Sequence, residues 1–307
     1  SRTLIMFKRV VIVGCGLIGC SIAGAIKEKK MSTEIVGIEI NNIEDVQKLN
    51  FFDTVKKSIL EVDSADLVVL STPLSSLENV FSDLVCQHHL KKFRLITDVL
   101  STKNSLLETI SKLEDHKKTG FKNAFLSSHP LAGSEKIGAI AADVSMFENT
   151  KVLICPFSNS ERGIDLQSQE NDSEQQRKFD ELALFWGSIG GIPKTFPIEQ
   201  HDLFFAGISH FPHLVSFCLA LVLSRSDFSS KARSTHGGGL RDSTRIAGAS
   251  PDLWSDIIFD NKDQVLKLIH EWSATWNELS SKLKSSDKQG FRKLLLEAST
   301  WRNDFKK

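Results

Sequence analysis

His129 lies in the run His129-Pro130-Leu131-Ala132-Gly133-Ser134-Glu135. Imidazole is the side chain whose ordinary pKa sits nearest neutrality, so it can take or give a proton at working pH. The stretch 123–128 before it reads as a strand, and Pro130 should end that strand, having no N–H for the ladder. Gly133 then allows a tight turn, and a carboxylate, Glu135, follows six residues after the histidine. A histidine at a strand end is more often packed than reactive, so the weight falls on what accompanies it.

Asp98-Val99-Leu100-Ser101-Thr102-Lys103 follows another short strand, 94–98, at the edge where sheets of this kind hold ligands. Ser101 there can cap the next helix, or hydrogen-bond a substrate or His129. Further along, His201-Asp202, His210 and His213 share one segment, and Arg241, Asp242 and Arg245 follow Gly237-Gly238-Gly239. The histidine spacing fits no usual zinc pattern, so no metal is expected. Arg241 and Arg245 are four apart and share a face if that stretch is helical. Arginine suits bidentate capture of a carboxylate, with an exposed salt bridge as the plainer alternative.

These residues need a scaffold, and the first 155 positions supply one. A β-branched run, 9–13, leads into Gly14-Cys15-Gly16-Leu17-Ile18-Gly19 and then a helical stretch to Lys30. The first glycine permits a tight turn, the second lets backbone approach a pyrophosphate, and the third lets helix and strand pack closely. Leu17 and Ile18 open the helix, whose N-terminus carries partial positive charge. Glu39 stands 20 residues beyond Gly19, where an acid would hold a ribose 2′-OH and repel a 2′-phosphate, so NAD is expected rather than NADP. Ser71-Thr72-Pro73 and Asp98 end two further strands and complete the expected cofactor edge. The strand–helix alternation predicts an α/β fold: an N-terminal doubly wound, Rossmann-type parallel sheet over 1–197. The polar stretch 158–176 reads as an exposed loop.

After Pro197 the pattern turns all-helical, giving a second domain at 198–307. Pro212 should kink or break the long run 198–224, and 214–223 is apolar nearly all round, so burial on every side is expected. This half has more apolar surface than a thin bundle can hide, and a homodimer formed through it is the expected outlet. Lys+Arg and Asp+Glu each total 38 in 307 residues, so no net field attracts nucleic acid or an anionic membrane. Four glycines interrupt the apolar run 10–26, which suits a strand–turn–helix rather than a membrane span. Five scattered cysteines without paired spacing read as reduced thiols of a cytoplasmic protein.

Taken together, Gly14–Gly19, His129–Glu135, Ser209-His210-Phe211-Pro212-His213 and Gly237-Gly238-Gly239-Leu240-Arg241-Asp242-Ser243-Thr244-Arg245 resemble the prephenate/arogenate dehydrogenases of tyrosine biosynthesis. Asp252-Leu253-Trp254-Ser255-Asp256-Ile257 continues the resemblance, which covers the chain from about Phe7 to Phe305. It implies oxidative decarboxylation, with hydride passing from ring carbon C4 to NAD while carbon dioxide leaves. His129 is thereby implied as the group hydrogen-bonding the C4 hydroxyl, with Ser101 orienting it and Lys103 near the cofactor. Arg245 is implied to grip a substrate carboxylate and His213 to contact substrate, while Glu135, His210, Arg241 and Asp242 are implied as supporting or gating groups. Prephenate is the implied main substrate, arogenate or dual use the alternative, and tyrosine an implied inhibitor. The chain departs from the family at Leu100, where a small residue is usual, and in its longer stretch 158–176. Two rivals stay open: a 3-hydroxyacid or imine reductase, and a non-enzymatic NAD sensor.

Overall fold

The computed structural model describes residues 7–86, 89–133, 138–157, 169–227 and 229–305. Five strands, β1 (Phe7–Val13), β2 (Ser32–Ile38), β3 (Thr54–Lys56), β4 (Ala65–Leu70) and β5 (Phe93–Asp98), form one parallel sheet in the order β3-β2-β1-β4-β5. Helices α1 (Leu17–Lys29), α2 (Ile43–Lys48), α3 (Leu77–Leu84), α4 (Asn104–Ser111) and α5 (Asp115–Ala124) are interleaved with these strands or follow them. The central strands are apolar throughout because both faces are covered. Val11, Val13, Val68 and Leu70 enter one core, and Val10, Ile12, Leu67 and Val69 enter the other. Strand order reverses between β1 and β4, opening at their carboxyl ends the crevice where such sheets bind ligands.

The expected single sheet is corrected beyond β5. β6 (Ser127–Pro130), β7 (Lys151–Cys155) and β8 (Ile192–Thr195) make a separate sheet, with β6 antiparallel and β8 parallel to β7. The strand expected at 123–128 therefore starts later, after α5, and it includes Pro130 instead of ending before it. Pro130 is tolerated because β6 is an edge strand of this small sheet. The two sheets are stitched by the Leu126 N–H donating to the Ile96 carbonyl at 2.9 Å. The polar stretch 158–176 is corrected in part: α6 (Gln169–Ser188) takes up its end, and 158–168 lies outside the described residues.

The second half comprises α7 (Ile198–Phe205), α8 (Phe211–Ser224), α9 (Ser229–Thr235), α10 (Gly238–Thr244), α11 (Pro251–Asp260), α12 (Lys262–Lys284) and α13 (Lys288–Asp304). A π-helical turn, Ala206–His210, joins α7 to α8. Pro212 sits in the first turn of α8, so the wide turn before it absorbs the missing N–H and the ring, and the helix continues. Ser250 caps α11, its hydroxyl accepting from the Leu253 N–H, with Pro251 at the first helical position. The expected burial of 214–223 on every side is corrected for the single chain, where Ser216 is the buried residue of α8 and Val222 is 63% exposed.

By length and composition alone, Ile198–Ser224 could cross a membrane. Its first turns carry His201 and Asp202, both buried, and Asp202 bonds the backbone of the first half. Their place is thus inside the protein.

Candidate active site

The glycine loop has the shape a dinucleotide requires. Gly14 has φ +92°, and a Cβ on it would lie 2.6 Å from the Ser71 carbonyl oxygen. A Cβ on Gly19 would lie 2.1 Å from the Gly14 carbonyl oxygen, so the start of α1 rests against the loop only because that residue is glycine. Gly16, the N-cap of α1, has nothing within 4 Å of its notional Cβ and no side chain capping the helix. That open cradle, faced by the first-turn residues Leu17 and Ile18, fits a pyrophosphate. Glu39 stands at the end of β2, one oxygen accepting from the Cys15 N–H and the other from the Ile40 and Asn41 N–H groups. Each carboxylate oxygen has two lone pairs, so capacity for ribose hydroxyls remains. Ser71 turns its hydroxyl onto the Val13 and Gly14 carbonyls, holding the loop from β4, and Thr72 and Pro73 extend the same rim.

At the end of β5 the structure revises two expectations. Asp98 and Lys103 are fully buried and paired at 2.5 Å, so neither reaches the surface on which a cofactor or substrate would lie. The Lys103 ammonium also donates to the Leu100 and Ser128 carbonyls at 2.9 Å each, using all three of its N–H groups. Lys103 thus fixes the backbone just before His129. Leu100 is buried in the core, and its N–H donates to Asp98, which accommodates the bulk that departs from the family pattern. Ser101 is half-buried and does not cap α4; that helix starts at Asn104, and Lys103 occupies the cap position.

His129 is buried in β6, and its Nδ1 lies 2.8 Å from Nε2 of His201. His201, which the sequence reading did not pair with it, is thus the partner of His129 on Nδ1. His201 Nδ1 in turn lies 2.7 Å from Asp202, whose carboxylate accepts from the Lys103 and Asn104 N–H groups. Phe205 stacks on His201 with centroids 4.4 Å apart and packs against His129, walling the pair from water. Burial, with the Lys103 ammonium and His201 nearby, holds His129 well below its ordinary pKa, so the ring is neutral. Burial pushes His201 down to about 2 and His210 to about 4, and it raises the Asp202 carboxyl.

The helical half brings His210 and His213 to the same seam. Asn261, fully buried, donates to the Asp202 carbonyl and shares a 3.0 Å contact with His210 Nδ1. The carbonyl can only accept, which fixes the amide orientation and leaves His210 protonated on Nε2. His213 donates from Nδ1 to the Ser209 carbonyl and stacks on Trp254 with centroids 3.5 Å apart, so its Nε2 is an acceptor. Arg245 is exposed and close enough to depress the His213 pKa, behind the larger effect of burial. Arg241 is exposed as well and lies 3.6 Å from its neighbour Asp242. Glu135 falls outside the described residues. Among the described residues no His, Cys, Asp and Glu group could hold a metal ion.

Sequence reasoning set His201 and Asp202 aside once the metal spacing failed, and it passed over Asn261. The adjacent His-Asp pair just after the helix-starting Pro197 was the available signal.

Comparison with known proteins agrees with this assembly. Residues 22–166 match the nucleotide-binding domain of prephenate dehydrogenase, and residues 197–297 match its dimerization domain. The chain is 30% identical to the prephenate dehydrogenase of Bacillus subtilis over 97% of its own length and 76% of that protein's. It is 29% identical to that of Lactococcus lactis, over 92% of this chain and 73% of the relative. A crystal structure of the Aquifex aeolicus prephenate dehydrogenase, in complex with hydroxyphenyl propionate and NAD+, superposes with a TM-score of 0.78 at 26% identity. That superposition covers 97% of this chain and 98% of the other. With both of its halves matched by models of this family and nearly its whole length covered by these relatives, the chain belongs to the prephenate dehydrogenase family.

Proposed function

We propose that the chain catalyses the NAD-dependent oxidative decarboxylation of prephenate to 4-hydroxyphenylpyruvate. The observation that carries this reading is His129. It is a buried, neutral imidazole with no protein partner on Nε2 among the described residues, at the seam between a dinucleotide-type loop and a half that presents Arg245. Glu39, an acid at the end of β2, would oppose a 2′-phosphate and favours NAD over NADP. NAD, when bound, supplies the hydride acceptor.

His129 accepts the C4 hydroxyl proton on Nε2 as hydride leaves C4 and the carbon–oxygen bond gains double-bond character. The bond to the ring carboxylate then breaks, carbon dioxide departs, and its electron pair completes the aromatic ring. His129 returns the proton to the phenolate oxygen, so the histidine ends as it began. Arg245 and the acceptor His213 would bind the polar substituents of the substrate, with His213 stacked flat on Trp254. The apolar faces of α8, α12 and α13 pack against a second copy of the chain, making a homodimer.

Purified enzyme supplied with prephenate or arogenate, each with NAD or NADP, should form NADH fastest with prephenate. Turnover confined to other hydroxyacids or to imines would refute the reading, as would tight NAD binding without turnover on any of them. His129→Asn should lower kcat by about 10³-fold with NAD affinity unchanged. Arg245→Ala should chiefly raise the KM for prephenate, by about 10-fold or more, because carboxylate binding is used in ground and transition states alike.

A further inference from the structure

We propose that His201 and Asp202 are positioning residues that hold the proton of His129 on Nδ1 and leave Nε2 free as the base, and that the contact doing so is the one that docks the two halves. The proposal rests on His129 acting as the proton acceptor.

The proton assignments follow from donors that cannot accept. The Asp202 carboxylate lies at the N-terminus of α4, where it faces the Lys103 N–H at 2.9 Å and the Asn104 N–H at 2.7 Å. Backbone N–H groups and a helix N-terminus favour the ionised, accepting carboxylate. His201 Nδ1, 2.7 Å from the same group, must therefore carry a proton. A neutral imidazole has one N–H, so His201 Nε2 is a lone pair. The nitrogen facing it at 2.8 Å, His129 Nδ1, must then be the donor. Neutral His129 is left with its lone pair on Nε2, the atom that has no protein partner among the described residues. Without Asp202, His201 is free to carry its proton on Nε2, and His129 would carry its own on the nitrogen meant to act as base.

Asp202 reaches across 99 and 98 positions of sequence to bond Lys103 and Asn104, and it is not alone on that seam. Asp260, at the end of α11, accepts from the Ser105 N–H at 3.1 Å and from the Ser105 hydroxyl. Asn104 donates from its side chain to the Asp260 carbonyl, and Asn261 donates to the Asp202 carbonyl. The start of α4 thus belongs to one half and its caps to the other. When the halves part, Asp202 loses its backbone donors and His129 loses its fixed tautomer in the same step. Docking and readiness of the base are one contact.

The test uses the full-length enzyme with 15N-labelled histidine and reads tautomers from long-range 1H–15N correlations in the free enzyme. In the unaltered protein His129 should show a bare Nε2 and a protonated Nδ1. His201→Leu, which leaves Asp202 and its caps on α4 in place, should abolish that single tautomer and lower kcat by about 100-fold, with KM and NAD affinity within about three-fold. His201→Gln, whose amide can donate to Asp202 and accept from His129, should recover at least ten-fold of the loss. The groups facing His129 are the Lys103 ammonium with its partner Asp98, His201 and Asp202 of α7, and His210 before α8. Asp202→Asn should show the same tautomer mixture, and if it fails to fold, His201→Leu decides alone. A protonated Nε2 on His129 in the unaltered protein, or an unchanged tautomer and rate in His201→Leu, would overturn the proposal. Because tautomers are read without substrate, they can hold while every candidate substrate fails, which would fault the assigned reaction and spare the relay.

Discussion

The two halves of the molecule solve burial in opposite ways. In the nucleotide-binding half, β1 and β4 feed alternate residues into two closed cores, and Phe7, Ile12, Ile22 and Trp186 are each no more than 1% exposed. In the helical half, Ile198, Phe205, Ala206, Ile257 and Val265 are the buried hydrophobic residues among those described, while Trp276 is 59% and Leu283 64% exposed. A helix gains its stability mainly by burying an apolar face, so α8, α12 and α13 are incomplete in one chain. The difference shows a division of labour: the first half is a finished scaffold, and the second gains its order from what it docks against. Its polar docking onto α4 carries the chemistry. Its apolar faces are open in the single chain, and the segment matches the family's dimerization domain, which is what the proposed homodimer would use.

The harshest way to break that contrast is to charge the open face. Trp276→Glu with Leu283→Glu should turn a dimer into a monomer in sedimentation at micromolar concentration and unfold the helical half at lower temperature. The nucleotide-binding half should keep its own transition. A variant that stays dimeric, or an unaltered protein that sediments as a monomer, would remove the second copy from this account.

A finer cut separates two glycines of one loop. In Gly19→Ala the new methyl meets the Gly14 carbonyl at 2.1 Å, so loop and helix must move apart, and both thermal stability and NAD affinity should fall. Gly16→Ala meets nothing within 4 Å in the protein, so its stability should hold, while NAD affinity drops about ten-fold or more as the methyl fills the cradle. Calorimetric titration showing normal NAD binding by Gly16→Ala would place the pyrophosphate elsewhere.

The same contrast explains what could be read in the sequence. Gly14-x-Gly16-x-x-Gly19 was legible because its meaning is local, one turn between a strand and a helix. So was the helix start at Ser250-Pro251. The burial of Lys103 was not legible, because it depends on Asp98 and on a carbonyl of β6, 25 positions later. Pro130 was read as a stop because its place at the edge of a second sheet is a matter of topology. His201 and Asp202 were out of reach for the strongest reason: their partners lie 72 and 99 positions earlier, and only the docking of the halves brings them together. What stayed hidden was the seam.

That seam should also be the part of the molecule most sensitive to mild acid. His129, His201, His210 and His213 are all held below their ordinary pKa, in each case chiefly by burial. A histidine whose folded pKa is depressed binds fewer protons folded than unfolded. Its contribution is therefore complete above the unfolded value near 6.5 and is lost as pH falls from there toward the folded value. Within that window each such group removes about 1.4 kcal/mol per pH unit. Asp202, raised by burial, acts in the opposite sense, but it is one group against four histidines, so histidine governs the interval from 6.5 to 5. Hydrogen exchange, corrected for its intrinsic pH dependence, should show α7, α8 and the first turn of α4 losing protection across that interval while β1, β4 and β5 keep theirs. His201→Leu, with one buried imidazole fewer, should lose protection less steeply. Equal loss in both halves would mean that acid acts on the fold as a whole, and the seam would no longer be the place where proton binding and docking meet.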